Sequence, residues 1–333
     1  TKSNVCYYDS DDKKQKGKGI KMEQITQAAA KPPKTKNFFE RCWRQKDLIL
    51  MSAPAVIILI LFSYLPMYGI QIAFRNYFFG AYVDAEWVGL EWFKTFFGGP
   101  YFFRLLKNTL LLGIYGLLWG FPAPIILALL LNEVKGQKYK KTVQTISYLP
   151  HFISTVIIVS MIKQFTSLDG GINAVLQVMG FEPKNFFVEA KYFRTLFIAS
   201  SIWQNIGWNS IIYLAALSGV DVHLYEAATI DGAGRFKQLL NVTLPAIMPT
   251  VCIMLILNVG SIMGSDYQKV MLMYSPTTYD VADIIGSYTY REGVENGQYS
   301  YTTAVGLFNS VISMILILGT NYISKKTTDN SIW

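Results

Sequence analysis

Ionisable residues are scarce in this chain. Asp, Glu, Lys and Arg make up 16% of its 333 residues, against about 25% in soluble domains. Cysteine occurs three times and histidine twice, without metal-ligand spacing, so neither a disulfide framework nor a metal site is indicated. The sequence contains no G-x-x-x-x-G-K-[ST] phosphate loop, which argues against ATP binding through that motif. The composition therefore disfavours a soluble domain and a metal centre.

Apolar residues account for 52% of the chain and are concentrated in long runs. A helix needs about 20 residues to cross the hydrocarbon core of a membrane, and six runs reach that length. We therefore predict an all-α, polytopic membrane protein. The six spans are predicted at residues 48–72, 108–132, 143–164, 194–218, 245–264 and 302–323.

Basic residues are distributed unevenly between the segments that join these spans. With six spans both termini lie on one side of the membrane, and that side holds 20 Lys and Arg against 7 on the other. Positive charge is retained in the cytoplasm. We therefore predict that both termini and the segment 219–244 are cytoplasmic.

The ends of the chain are predicted to lie outside the membrane. Residues 1–37 are rich in Lys, Asp, Gln and Gly and have no apolar period, which predicts a disordered basic leader. Its lysines are expected to contact anionic lipid, and no nucleic-acid role is expected. Residues 38–47 mix aromatic and cationic side chains and predict an interfacial segment. The transmembrane domain is predicted over 48–324 and a cytoplasmic tail over 325–333.

A polar segment between the fourth and fifth runs has the form E-A-A-x-x-D-G-A, followed after ten residues by L-P-x-x-x-P. Asp221 is placed to cap a short helix over Val222–Ile230, and Gly232 permits a turn that a Cβ would resist. A second short helix over 235–242 is predicted to end before the L-P pair, giving a compact knob along the membrane surface. An ordinary solvated loop is the alternative interpretation.

This segment, residues 221–245, resembles the cytoplasmic coupling loop of the permease subunits of binding-protein-dependent ABC importers. The resemblance covers residues 45–326. S-Y-L-P-H-F-I-S at 147–154 and W-Q-N-I-G-W at 203–208 are similar to a polysaccharide and oligosaccharide subgroup that includes alginate importers. The resemblance implies the type I importer fold and a set of ATPase-coupling residues. These are Glu226, Ala227, Ala228, Asp231, Gly232, Ala233, Leu244 and Pro245.

The resemblance also implies the assembly in which the chain works. Such importers pair two permeases, often non-identical, with two ATPase subunits and an extracytoplasmic solute-binding protein in the bacterial inner membrane. The chain is then a transport subunit with no catalytic residue and no bound cofactor, and the partner ATPase uses ATP and Mg²⁺. The implied solute is a saccharide, such as an acidic oligosaccharide derived from alginate. A non-sugar solute stays open.

The fourth span carries amides and an indole on one arc of its surface. Polar side chains inside a span are costly unless they face a cavity or a partner. Amides donate to and accept from sugar hydroxyls, although joining of helices is an equal alternative. The predicted solute-pathway residues are Gln204, Asn205, Trp208, Asn209, Asn258, Asp266 and Tyr267.

The segment 265–301 is rich in tyrosine and net acidic. We predict that it is external, contains a short helix near 281–290, and either receives the binding protein or packs as a cap. Two other classes of protein stay open. An ion-coupled secondary transporter would show internal repeats and carboxylates within spans, and a membrane enzyme would cluster His, Asp or Glu. We find neither pattern, and we interpret His151 and His223 as structural.

Overall fold

The computed structural model describes residues 45–77 and 85–328. The predicted disordered leader, residues 38–44 of the predicted interfacial segment and residues 329–333 of the predicted tail lie outside the described residues. The chain divides into two units, one that ends at Pro66 and one that begins at Met67.

The first unit contains helix α1, Lys46–Leu59, and a π turn, Ile60–Tyr64. Asp47 lies in the first turn of α1, where the helix dipole favours a carboxylate. The helical segment Lys46–Phe74 is long and apolar enough to cross a membrane. It contains the first predicted span, 48–72.

The second unit contains the other helices. In chain order these α-helices are α2 (Glu91–Gly98), α3 (Phe102–Tyr115), α4 (Pro122–Glu133), α5 (Gln137–Tyr148), α6 (Thr155–Thr166), α7 (Gly171–Val178), α8 (Ala190–Ser218), α9 (Val222–Ile230), α10 (Arg235–Gln238), α11 (Leu244–Gly260), α12 (Tyr267–Met273), α13 (Tyr279–Ala282), α14 (Ile285–Tyr290) and α15 (Tyr299–Thr328). Two strands of two residues, β1 (Arg75–Asn76) and β2 (Glu86–Trp87), pair antiparallel with Arg75 opposite Trp87.

Four helical segments in the described part of the chain are long and apolar enough to span a membrane, and six do so if each of two bent pairs counts as one span. The four are Lys46–Phe74, Phe102–Glu133, Arg235–Gly260 and Tyr299–Thr327. The bent pairs are Gln137–Phe152 with Thr155–Val178, at 102°, and Ala190–Ser218 with Val222–Ile230, at 69°. The prediction of an all-α polytopic fold is confirmed.

The third predicted span, 143–164, is found as two helices that meet at a bend of 102° and not as one straight helix. The chain bends sharply between α5 and α6, where Leu149–Phe152 forms a 3-10 turn and Ile153 is extended. Pro150 lies in this turn, and the Ser154 hydroxyl accepts a hydrogen bond from the backbone N–H of Ile157 to begin α6 anew. A proline followed by an N-cap serine is a start signal for a new helix, which the apolar pattern concealed.

The predicted end of the second coupling helix before Leu244 is wrong. Helix α10 continues through a π turn, Leu239–Thr243, into α11, and the whole segment Arg235–Gly260 is one span. A proline ring clashes with the carbonyl four residues earlier. For Pro245 that residue is Asn241, the middle of the π turn, where the helix is locally widened. The helix therefore accommodates this proline instead of ending at it.

The same arrangement occurs at two other prolines. Pro66 and Pro122 each follow a π turn whose middle residue lies four positions earlier, in Ile60–Tyr64 and Gly116–Gly120 respectively. The second of these turns joins α3 to α4 in one span, Phe102–Glu133. Pro54 and Pro249 lie inside α-helices. A π turn is therefore one of several ways in which the helices of this chain tolerate a proline.

Helix α8 is the centre of the second unit and packs against α4, α5, α11 and α13. Near α9, Tyr213 and Leu217 of α8 are buried with Ala128 of α4 and Ile247 of α11. Close packing of this kind drives helix association within a membrane, where the lipid is as apolar as the side chains. At Gly207 the approach is closest, because a Cβ there would overlap the main-chain carbonyl of Ser147 in α5.

We expect Gly207→Ala to destabilise the protein, because a main-chain carbonyl cannot rotate away from the added Cβ. Overpacking of this kind costs about 1–3 kcal/mol. Gly319→Ala in α15 is the matched control, since a Cβ there meets nothing within 4 Å and alanine favours a helix over glycine by about 1 kcal/mol. The measurement is the thermal unfolding temperature of the purified protein. Equal shifts for the two variants would contradict the close crossing of α5 and α8.

The predicted external segment 265–301 contains more helix than expected. The predicted short helix near 281–290 is found as α13 and α14, separated by the extended residues Asp283 and Ile284. Helix α12 precedes them and packs against α6 and α14. The segment is therefore folded onto the helices of the second unit.

A buried ion pair fixes this segment to α3. The Asp283 side chain is fully buried, and its Oδ2 lies 2.8 Å from Arg291 Nη2 and 3.6 Å from Arg104 Nη2. The Ser287 hydroxyl donates to Asp283 Oδ1 at 2.8 Å. Asn108 of α3 donates to the backbone carbonyl of Asp283 at 3.0 Å. A buried carboxylate is tolerated when it is paired and hydrogen-bonded in this way.

Candidate functional site

Helix α9 has the caps that its sequence predicts. The Asp221 carboxylate accepts a hydrogen bond from the backbone N–H of His223 at 2.9 Å. At the other end the backbone N–H of Gly232 donates to Thr229 and that of Ala233 donates to Ala228. These two bonds form a Schellman motif. Gly232 has φ +74°, a left-handed conformation that glycine adopts without steric cost.

Three hydrogen bonds attach α9 and the turn that follows it to the base of the following span. The Tyr225 and Thr243 hydroxyls lie 3.0 Å apart. The Gln238 side-chain amide donates to the Thr229 hydroxyl and to the Ala233 carbonyl, each at 3.0 Å. The sequence pattern did not identify Tyr225, Thr229 or Gln238, because their roles depend on the fold of the turn. We call residues 221–243 the knob.

The exposed surface of the knob carries large apolar side chains and charges of both signs, since Arg235 and Lys237 are exposed as well as the acidic residues. Ile230 is 86% exposed and Phe236 is 71% exposed. Glu226 and Asp231 are exposed beside them, and Glu226 Oε2 lies 3.1 Å from His223 Nδ1. Such a surface is unusual for a solvated loop and typical of a contact site for a protein partner.

The predicted coupling residues fall into two groups. Six of them, from Glu226 to Ala233, lie on the knob. Ala228 and Ala233 are half-buried against its base, whereas Ala227 is exposed. Leu244 and Pro245 lie beyond the π turn at the start of α11, where Leu244 packs against the core cluster that contains Tyr213. The structure therefore separates the L-P pair from the exposed surface.

A cavity of about 280 Å³ lies between α3, α8, α11 and α12. Five of the seven predicted pathway residues line it, and so do several other polar side chains. The polar lining residues are Ser201, Gln204, Asn205, Asn209, Asn258, Ser261, Ser265, Asp266 and Lys269. Carboxamides, hydroxyls and two charged groups in one cavity suit a polyhydroxylated ligand.

Some of these amides also join helices, which was the alternative interpretation. Gln204 Nε2 donates to the Ile153 carbonyl at 3.4 Å. Asn205 Oδ1 lies 3.0 Å from His151 Nδ1, and its Nδ2 donates to the Ser201 carbonyl at 3.1 Å. Asn205 therefore fixes the bend after α5 while one edge of its side chain lines the cavity.

Trp208 and Tyr267 are not among the residues that line this cavity. The Trp208 indole stacks on the His151 ring, with centroids 4.5 Å apart and planes 3° from parallel. Tyr267 stacks on Tyr290 at 5.9 Å. The assignment of Trp208 and Tyr267 to the solute pathway stays a prediction, and their stacking contacts do not support it.

Lys269 is the cavity residue that the sequence interpretation missed. Its side chain is 1% exposed, and Nζ donates to the Ser201 hydroxyl at 2.8 Å. Burial lowers the pKa of Lys269 to about 8, against the opposing effect of nearby Asp266. The ammonium is therefore still charged at neutral pH. A lysine followed by Val270-Met271-Leu272-Met273 is a signal of burial that a count of basic residues in loops does not register.

Comparison with known proteins gives consistent results. The family model described as binding-protein-dependent transport system inner membrane component matches residues 120–329. Protein LplB of Bacillus subtilis (strain 168) is 47% identical over 85% of this chain and 90% of its own length. The polygalacturonan/rhamnogalacturonan transport system permease protein YteP of the same organism is 44% identical over 91% of this chain and 95% of its own.

Solved structures agree with these relatives. The crystal structure of a bacterial alginate ABC transporter in complex with an alginate pentasaccharide-bound periplasmic protein contains a chain that matches with a TM-score of 0.82 and 38% identity. The match covers 89% of this chain and 99% of that one. A structure of a bacterial ABC transporter involved in the import of the acidic polysaccharide alginate matches with a TM-score of 0.81 and 39% identity.

Proposed function

Since the chain belongs to the family of binding-protein-dependent transport system inner membrane components, we propose that it moves a saccharide through the bacterial inner membrane as a permease subunit of an ATP-driven ABC importer. The observation that carries this proposal is the match to the alginate transporter structure over nearly the whole of that chain. The chain is a multi-pass transport subunit and not itself an enzyme, since the ATPase of such importers is a separate chain. An acidic saccharide is the narrower candidate, because one matching transporter imports the acidic polysaccharide alginate.

The knob is the proposed contact with that ATPase. Its exposed Ile230 and Phe236 offer apolar area, and Glu226 and Asp231 offer charge to a basic partner residue. Displacement of the knob passes directly into α11, because α10, the π turn and α11 form one continuous helix. It also passes into α8, whose C-terminal end lies next to α9. We infer that this connection couples ATP hydrolysis to the opening of the cavity on alternate sides.

Orientation and domain assignment follow the distribution of charge. We place the knob and both termini in the cytoplasm, because the basic residues on that side number 20 against 7. The transmembrane domain is then 48–324 and the segment 265–301 is external. ATP and Mg²⁺ are assigned to the partner ATPase, and this chain is proposed to bind no cofactor of its own.

The chain works with a second permease and a solute-binding protein, as the alginate transporter with its periplasmic protein supports. We further propose that the second permease is a different chain and that two ATPase subunits complete the assembly. Helices α12 to α14 form the external surface that meets the binding protein, since the buried Asp283 ion pair holds them in a fixed position.

The test is ATP hydrolysis by the purified complex in proteoliposomes with its binding protein. We expect saccharides to stimulate hydrolysis when the binding protein carries them. A panel of neutral oligosaccharides, acidic oligosaccharides and non-sugar solutes separates the classes. Stimulation by a non-sugar solute alone would overturn the saccharide assignment while retaining the importer.

We expect Asn209→Ala to lower the initial rate of saccharide uptake about 2- to 10-fold. Asn209 lines the cavity and is exposed, so truncation removes hydrogen bonds to solute worth about 0.5–1.5 kcal/mol with little effect on folding. Trp208→Ala, one residue earlier, is the comparison. If Trp208 only packs on His151, its variant should lower the unfolding temperature instead. Uptake by Asn209→Ala at the unmodified rate would remove Asn209 from the pathway.

A further inference from the structure

Lys269 is a buried cation that lines the cavity without a charged partner. None of the ion pairs between described residues includes its ammonium group. Of its three N–H donors, the hydrogen bond to Ser201 uses one. A buried charge is normally paired, because removing it from water costs several kcal/mol. The ammonium therefore has the capacity to form further hydrogen bonds to a bound ligand.

The surroundings of Lys269 favour an anion rather than a purely neutral ligand. Asp266 is the nearby carboxylate, but its Oδ1 accepts the backbone N–H of Lys269 at 3.0 Å as the N-cap of α12. Among the described residues, Asp266 forms no ion pair with the Lys269 ammonium, although its charge acts on Lys269 from nearby. The Phe197 ring centroid lies 5.5 Å from Nζ, and a ring face stabilises a cation without neutralising it.

The cavity also contains the groups that a sugar requires. Asn205, Asn209 and Asn258 supply carboxamides on the same lining as Lys269. Lys269 and Asp266 are the charged groups on this lining, and Asp266 also caps α12 through its Oδ1. The ammonium is therefore the charged group that can pair with a ligand carboxylate, beside several neutral groups that can bond to hydroxyls. A uronic acid residue carries both a carboxylate and hydroxyls.

We propose that Lys269 binds the carboxylate of an acidic saccharide in this cavity and thereby determines solute specificity, an inference that rests on the proposed function. The ammonium and carboxylate form a charge-assisted hydrogen bond, about twice as strong as a neutral one. A neutral sugar leaves the buried ammonium unpaired, so the cavity discriminates against it. The competing interpretation is that Lys269 only joins α12 to α8 through Ser201.

The experiment compares two probes that differ only in charge. One is a mannuronate trisaccharide, and the other is the same trisaccharide with its carboxyl groups reduced to alcohols. The complete complex with its binding protein is reconstituted in proteoliposomes, and uptake of each probe is measured. The quantity compared is the uptake of the acidic probe divided by the uptake of the neutral probe, in the unmodified protein and in each variant. Because the binding protein is the same in every case, its own selectivity cancels in this comparison.

We expect Lys269→Met to lower this ratio at least ~10-fold, which corresponds to about 1.4 kcal/mol. Lys269→Arg should retain most of the ratio because it keeps the charge. Lys163→Met is the matched control: Lys163 is exposed and lies over the Phe187 ring, outside the cavity lining, and its loss should leave the ratio unchanged. If the Lys269→Met variant does not assemble, Lys269→Gln replaces it, because glutamine is uncharged and still offers a hydrogen-bond donor to Ser201.

Three results would overturn the proposal in distinguishable ways. Equal loss of both probes in Lys269→Met and Lys269→Gln would assign Lys269 to packing of α12. Undiminished uptake of both probes in the same variants, with an unchanged ratio, would remove Lys269 from solute recognition. Failure of the unmodified complex to transport either probe or any other saccharide would contradict the proposed function itself, and the inference would fall with it.

Discussion

Glu226→Lys is expected to reduce ATP-driven uptake to near background while the protein still inserts in the membrane. Glu226 is exposed on the outer surface of the knob, so reversing its charge disturbs no core packing. At a docked interface, a like charge facing a basic partner residue costs about 2–5 kcal/mol. That loss weakens docking of the ATPase more than tenfold. The measurement is uptake together with the amount of ATPase that copurifies.

Two control variants separate docking from local structure. His223→Ala removes the 3.1 Å pair between His223 and Glu226 but leaves the carboxylate, and an exposed pair of this kind contributes about 0–1 kcal/mol. Its uptake should stay close to normal. Glu226→Gln keeps the shape and removes the charge, so it should give an intermediate loss. Normal uptake by Glu226→Lys would exclude Glu226 from the coupling contact.

Gly232→Val is expected to impair coupled transport through the backbone alone. Gly232 has φ +74°, and a Cβ there would meet nothing within 4 Å. The penalty is therefore conformational, about 1–2 kcal/mol for a side chain in the left-handed region and larger for a β-branched one. It opposes the Schellman turn that sets the position of Ala233 and the start of α10. Uptake per ATP hydrolysed is expected to fall about tenfold.

Gly232→Asn is the matched control, since asparagine tolerates the left-handed conformation and is the second choice at this helix end. It should retain most of the coupling. Equal losses in the Val and Asn variants would show that the outer surface at Gly232, rather than its backbone angle, is what the partner requires. If both variants kept normal coupling, the turn at Gly232 would tolerate backbone strain.

The first helix of the knob could be predicted residue by residue because its signals are local. An N-cap aspartate, a nine-residue helix and a glycine at C′ each act on neighbouring backbone groups, so Val222–Ile230 has the predicted bounds. The membrane spans could also be predicted, since their length and apolarity follow from the thickness of the hydrocarbon core. Both kinds of signal are independent of the rest of the fold.

The misses arise where a distant element decides the local geometry. Whether a proline ends a helix, as near Pro150, or is absorbed by a π turn, as before Pro245, depends on what surrounds the freed backbone groups. Neither outcome is encoded in the hydrophobic pattern. Lys269 was likewise invisible as a cavity residue, because its burial depends on Ser201 and Phe197, which lie about 70 positions earlier. Helical periodicity was enough to predict the row of amides on α8. The stacking of Trp208 on His151 could not be predicted, because it depends on the bend after α5.

We expect this chain to carry a saccharide only when an ATPase moves its knob. Uptake of radiolabelled oligosaccharide into proteoliposomes tests it most directly, with the two permeases and the binding protein present and the ATPase subunits and ATP either present or omitted. The oligosaccharide should accumulate against a gradient when ATPase and ATP are both present, and should not accumulate when either is left out. Concentrative uptake in the absence of the ATPase subunits would contradict it.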